Sequence, residues 1–151
     1  MLSRIVSSLA VLGTALLLLA APVAAGTQGT PDEAKAMAEK AAAFLEANGP
    51  EKAFKAFTET DQFKDRDLYV FVYDAKGAAV AHGANPALVG KNLMELRDPT
   101  GKQFVKDFVA VQDAGWVEYS WQNPVSKKVE PKRSWIIHTS GVWLGVGAYV
   151  Q

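Results

Sequence analysis

The chain has 151 residues, 49% of them hydrophobic, with 16 basic and 16 acidic side chains and no cysteine. That is enough for one domain with its own core and too little for two, and the apolar content excludes a disordered polymer. Balanced charge argues against a nucleic-acid partner, which needs a cationic surplus to displace counterions. The lack of cysteine rules out disulfides, thiolate metal sites and thiol nucleophiles.

Residues 1–25 read as a signal peptide. Arg4 supplies the positive start, Ile5 to Ala21 is almost wholly apolar, and Val23-Ala24-Ala25 offers the small residues that signal peptidase requires. Cleavage is expected after Ala25, placing the protein in the periplasm or outside the cell. An uncleaved anchor is the alternative, but Pro22 and its small neighbours suit a cleavage region better than a helix end. Arg4 is the one charge lost, leaving 15 basic against 16 acidic residues and a net charge of −1.

Residues 26–66 form an N-terminal helical segment. Thr30-Pro31-Asp32-Glu33 has the form of a capping box with proline at the first helical position. Good helix formers continue to Asn48-Gly49-Pro50, which stops the helix, and a second short helix is predicted from Pro50 to Thr58. The period changes at Asp67. Leu68 to Tyr73 is a continuous apolar run, predicted as a strand buried on both faces. Asp74-Ala75-Lys76-Gly77 turns the chain into a second strand, Ala78 to His82. Leu93 and Leu96 suggest one helical turn. Lys102 to Asp113 is predicted as an amphipathic helix closed by Gly115, with Phe104 and Phe108 on its apolar face. Strands Trp116–Trp121, Val129–His138 and Val142–Val150 complete residues 67–151.

This order predicts an α+β, PAS-like fold. A five-stranded antiparallel sheet carries the N-terminal helix on one face and loops with a short helix over the other, leaving a half-open cup for a ligand. Strand parity places Tyr69, Phe71 and Tyr73 on one face, and Val117, Tyr119 and Trp121 on one face. Trp143, Gly145, Gly147 and Tyr149 also share a face, and glycines opposite tyrosines are expected to leave space. Core filling is the simpler explanation for any single aromatic residue. The phenol tips of the set favour a pocket.

From Asp67 onward the chain resembles the single Cache domain, type 2, the extracytoplasmic sensor part of bacterial chemoreceptors and sensor kinases. The resemblance rests on Asp67-Leu68-Tyr69-Val70-Phe71-Val72-Tyr73-Asp74, Ala81-His82-Gly83-Ala84-Asn85-Pro86, Leu88-Val89-Gly90-Lys91-Asn92, Gly115 to Trp121, Glu130-Pro131-Lys132 and Gly145 to Tyr149. The leading helix is short and the chain ends at Gln151, so it resembles a free-standing periplasmic version. The resemblance implies a non-enzymatic sensor that binds a small organic acid such as acetate, propionate, pyruvate or lactate.

The ligand-binding candidates are Tyr69, Phe71, Tyr73, His82, Tyr119, Trp121 and Lys132. His82 enters a Gly-Asn-Pro loop, where a turn-capping histidine competes with a ligand donor, and the resemblance favours the donor. A carboxylate in a partly apolar cup needs a cation or several donors. The resemblance implies Lys132. Simple alternation instead groups Arg133 with Trp135 and Ile137, and only a bulge near Pro131 reconciles the two. No nucleophile elbow, histidine pair at metal-ligand spacing or phosphate loop is present, so no catalytic residue, metal or cofactor is expected. The second functional reading is an interaction module with a vestigial pocket that docks on a membrane receptor or histidine kinase.

Overall fold

A computed structural model describes residues 26–150; the expected signal peptide and its cleavage point lie outside the described residues. Helix α1 spans Pro31–Asn48 and α2 spans Pro50–Glu59. The capping box forms reciprocally: Glu33 N–H donates to Thr30 Oγ1 at 3.2 Å, and Thr30 N–H donates to Glu33 Oε2 at 2.8 Å. Gly49, at φ 79°, ends one helix and starts the next, in a backbone region that disfavours other residues.

The sheet has six antiparallel strands. The five expected ones are β2 (Leu68–Tyr73), β3 (Ala79–His82), β4 (Ala114–Gln122), β5 (Val129–Thr139) and β6 (Val142–Tyr149), preceded by a two-residue β1, Lys64–Asp65. The path runs β2-β6-β5-β4, and β2 also pairs with β1 and β3. Since a strand has two edges, β1 and β3 share the edge of β2 that β6 leaves free. The first and last long strands thus lie side by side at the sheet centre.

Each face has its own core. On one, Ala34, Ala38 and Ala41 of α1 are fully buried against Val70, Val72, Leu144, Val146 and Ala148. A stripe of alanines lets the helix approach the strands closely. Phe57 of α2 packs edge-on against Phe63 at 4.9 Å between ring centres, and Phe63 meets Phe44 at 5.2 Å. On the other face, Tyr69, Phe71 and Tyr73 pack against Phe104, Val105 and Phe108. These last three come from α3, Phe104–Val109. Every residue of β2 is therefore buried.

Two local expectations change. The amphipathic helix is shorter than Lys102–Asp113, and Gly115 belongs to β4 rather than to a helix end. Leu93 and Leu96 sit in a turn; the one 3-10 turn among the described residues lies upstream at Pro86–Leu88, where Asn85 Oδ1 accepts from Ala87 N–H at 3.2 Å.

The α1 face predicts a sharp contrast in stability. Phe57→Ala should destabilise the domain by about 3–5 kcal/mol through lost burial and a cavity. Val125→Ser, at a side chain 63% exposed, should change stability by no more than about 0.5 kcal/mol. Urea melts at unchanged m-value measure both, and equal midpoints would contradict the packing described.

Candidate ligand-binding site

The chamber on the α3 face begins with β2. Period-two alternation aims Tyr69, Phe71 and Tyr73 at α3, while Val70 and Val72 face α1. Phe104 stacks on Tyr119 at 4.6 Å, and Phe108 stacks on Phe71 at 5.3 Å, so α3 roofs the space. Tyr69, Phe71, Tyr73, His82, Tyr119 and Trp121, six of the expected site residues, line one inner cavity of about 10 Å³ together with Phe104 and Phe108. That volume suits about one water molecule. A wider outer pocket of about 130 Å³ shares Tyr69, His82 and Trp121 with it and adds Ala84, Asn85 and Gln122. These three shared side chains form the junction between chamber and surface.

His82 is held by its loop. Its Nδ1 accepts from Asn85 N–H at 3.0 Å, and the His82 backbone N–H donates to Thr58 Oγ1 at 3.1 Å. The neutral ring therefore carries its proton on Nε2. Burial, and secondarily the Lys132 charge, pushes its pKa down to about 3, so the ring stays neutral near pH 7. It turn-caps through one nitrogen and keeps the other as a donor.

Lys132 lies one layer behind the chamber wall. Its Nζ donates to Tyr69 Oη at 2.8 Å and sits 4.0 Å from the Tyr69 ring centre, 4.8 Å from Tyr149 and 5.6 Å from Phe71. The side chain is 1% exposed and takes part in none of the ion pairs found among the described residues. Burial pushes its pKa down to about 7, against the opposing pull of the Asp67 charge. The cation reaches the chamber through the Tyr69 hydroxyl.

Lys132 and Arg133 take opposite faces of the sheet without a bulge. Pairing of β5 with β6 runs unbroken from Lys132↔Tyr149 to Thr139↔Val142. Lys132, Ser134 and Ile136 are buried on the chamber side, whereas Trp135 and Ile137 pack with the α1 core. Arg133 does share their face, but that face is not the chamber. Its guanidinium lies over Trp116 at 4.5 Å, with Nε 3.7 Å from Glu118 Oε1.

The glycines of β6 do not leave a void. A Cβ on Gly145 would meet the Phe71 ring at 2.5 Å, and one on Gly147 would collide with Ser134 Oγ and approach Lys132 Cε at 2.5 Å. Gly147 is the space in which the lysine stem lies. Sequence reasoning missed Phe104 and Phe108 as lining residues, although it placed them on the correct helix face. It also missed Ser134, whose hydroxyl pairs with Tyr119 Oη at 3.0 Å, and Asp67. Asp67 is fully buried and accepts from Gly29 N–H at 2.7 Å and from Asn123 Nδ2 at 3.3 Å. A lone Asp before a strand carries no signal that separates this role from a turn.

The single Cache domain 2 family matches residues 17–151. The chain belongs to that family. Cache domains are extracytoplasmic sensor domains of chemoreceptors and sensor kinases. This one is 35% identical over 92 residues to the methyl-accepting chemotaxis protein McpP of Pseudomonas putida, covering 58% of the chain and 17% of the relative. It is 30% identical over 91 residues to the sensor histidine kinase MctS of Rhizobium johnstonii, covering 57% and 20%. The chain thus spans about a fifth or less of the curated relatives it matches. Among solved structures, a methyl-accepting chemotaxis protein from Vibrio parahaemolyticus superposes with a TM-score of 0.70 at 23% identity, covering 80% of this chain and 88% of that one. A periplasmic sensor domain of a chemotaxis protein gives 0.62 at 28%, covering 80% and 90%. Among the described residues of this Cache domain, no helix is long and apolar enough to cross a membrane.

The packing around Gly147 makes a direct prediction. Gly147→Ala should destabilise the domain by about 1–3 kcal/mol through overpacking. Lys132→Ala should recover part of that loss, because it removes the stem that the new methyl strikes. A double-mutant cycle by denaturant melting measures the coupling; strict additivity would show that the two residues do not share the space.

Proposed function

We propose that the chamber binds a small monocarboxylate of the acetate, propionate, pyruvate or lactate class. The observation that carries this reading is the buried Lys132 amine, which has Tyr69 but no carboxylate beside it. An unpaired cation in a dry interior is costly, and an incoming carboxylate supplies the missing charge. Tyr69 Oη, which accepts from Lys132, carries a proton that it can turn towards the ligand, and His82 Nε2–H offers a second neutral donor. Phe71, Phe104, Phe108 and Tyr119 form a wall suited to a short carbon chain and hostile to a second charge. A Cache chemosensory domain described as recognising carboxylic acids has the same fold, with a TM-score of 0.68 at 24% identity over 80% of this chain and 92% of that one.

Entry requires movement, because the inner cavity is smaller than any of these acids. Trp121 stands half-buried where the inner and outer spaces meet, and its displacement would join them. The small cavity equally favours a second reading, an interaction module with a vestigial pocket that docks on a membrane receptor or histidine kinase.

A thermal-shift screen of residues 26–151 with the four acids separates the two readings, since binding to the folded state raises Tm by mass action. The first reading expects a rise with at least one acid; no rise with any favours the second. Lys132→Met should then weaken the best acid by at least roughly 30-fold. Loss of one partner from a buried charged pair costs about 2–5 kcal/mol, at tenfold per 1.4 kcal/mol. Arg133→Met should leave affinity nearly unchanged, because that side chain is on the opposite face. A loss at Arg133 and none at Lys132 would contradict the assignment.

A further inference from the structure

Lys132 is the one lysine buried among the described residues, and its surroundings decide what charge it carries. Tyr69 from β2 and Tyr149 from β6 lie against it, and Tyr119 from β4 bonds to Ser134 on the same face of β5. Burial pushes all three phenols upward, so they remain neutral. His82 at the end of β3 is neutral for the reason given above. Glu130 on β5 accepts from Ser126 Oγ at 2.7 Å and Asn123 Nδ2 at 2.9 Å. These bonds lower its pKa, so it stays ionised. Asp67, at the start of β2, is the carboxylate whose field reaches the amine, but it is spent on Gly29 and Asn123. Of the groups whose pKa values are shifted around this chamber, Lys132 alone has a value near 7.

A buried amine of this kind changes what binding a carboxylate means. If the amine is neutral, an anion alone would add a net charge to a dry chamber. If a proton arrives with the anion, the chamber gains an ion pair and no net charge. The balance is carboxylate plus lysine amine plus one solvent proton giving a carboxylate–ammonium pair. It is equivalent to admitting the uncharged acid and moving its proton to Nζ. No oxidant, reductant or leaving group is involved.

Resting on the reading of the chamber as a carboxylate site, we propose that Lys132 takes up one proton as the ligand enters, so that the domain binds a weak acid as anion plus proton. Its response then depends on acid concentration and pH together. The Tyr69 hydroxyl, bonded to Lys132 on one side and lining both inner and outer spaces on the other, couples the two events. Above about pH 7 the affinity falls by about tenfold per pH unit; between the ligand's own pKa and about pH 7 it is nearly flat.

Calorimetric titration with acetate, propionate, pyruvate and lactate in turn, in phosphate and in Tris, reads the proton directly, because the two buffers differ in heat of ionisation. The expected result is uptake of close to one proton at about pH 8 and close to none at about pH 6. In Lys132→Met the uptake disappears, and whatever affinity remains loses its pH dependence over that range. Binding at about pH 8 without uptake, or uptake that persists in Lys132→Met, overturns the proposal.

A second measurement needs no ligand. The folded-state pKa of Lys132 lies below its unfolded value near 10.5, so the unfolded chain holds more protons between about pH 7 and about pH 10. Acid-free stability contributed by this residue therefore rises with pH across that window. The Tm of Lys132→Met should exceed that of the wild-type domain most at about pH 6–7, and the gap should narrow towards about pH 9. A gap that does not narrow shows an ordinary lysine and also overturns the proposal. If the gap narrows but no acid binds, the carboxylate reading falls and the coupling falls with it, while the titrating buried amine stands.

Discussion

The contact between the Lys132 amine and the Tyr69 hydroxyl is the constraint around which the chamber side of this domain is arranged. A lysine needs a long stem and a polar end, and both are inside. The stem fits because Gly147, on the neighbouring strand, has no side chain. The end is tolerated because Tyr69 accepts from it and because the faces of Tyr69, Tyr149 and Phe71 lie within 5.6 Å. A desolvated cation over an aromatic face gains about 2 kcal/mol, less than the several kcal/mol that burying an ion costs. The remainder appears as a lowered pKa. An amine held near its titration point is an unfinished ion pair, and the proposed carboxylate would supply the other half.

The two faces of the sheet divide the work. On the α1 side, alanines and branched aliphatics close a dry, well-packed core that holds β2, β6 and β5 in register. On the α3 side, the same strands present ring edges, phenol oxygens and one amine. The short α3 and Leu88, Leu93, Met94 and Leu96 of the preceding loops pack on that side, and the 18-residue α1 covers the other. The central strands β2 and β6 meet both environments, and each places a tyrosine ring against the Lys132 amine. Asp67 extends this connection. It binds the Gly29 amide immediately before α1 and Asn123 in the β4–β5 turn, and its charge acts on Lys132.

Much of this was legible in the sequence where a period or a cap speaks plainly. Thr30 to Glu33 announced the first helix, and Leu68 to Tyr73 announced a strand buried on both sides. The alternation of Tyr69, Phe71 and Tyr73, and of Val117, Tyr119 and Trp121, placed six aromatic or imidazole side chains around one cavity once His82 was added. Strand β5 was harder. Trp135 and Ile137 look like the inward face of an ordinary sheet, so alternation pulled Arg133 inward with them. A sheet covered on both sides has two inward faces, and parity alone does not say which one holds the chamber. Gly145 and Gly147 misled for a related reason: a strand glycine marks close approach of a neighbour as readily as empty space, and here Phe71 and Lys132 are the neighbours. Asp67 and Asn123 act through contacts 38 to 56 residues apart in sequence, which no local pattern reveals.

The account turns on a lysine that titrates near neutrality because it is buried without a carboxylate. Nuclear magnetic resonance of the lysine Cε and Nζ signals, followed through a pH titration with Lys132→Met to assign the resonance, measures that property directly. The account predicts a Lys132 midpoint near pH 7 in the acid-free domain, well below the other lysines. It also predicts an upward shift of at least about one pH unit, a tenfold change in proton affinity, when a bound short-chain acid completes the pair. A midpoint near the ordinary lysine value of about 10.4 would contradict it, as would a low midpoint that saturating acid leaves unmoved.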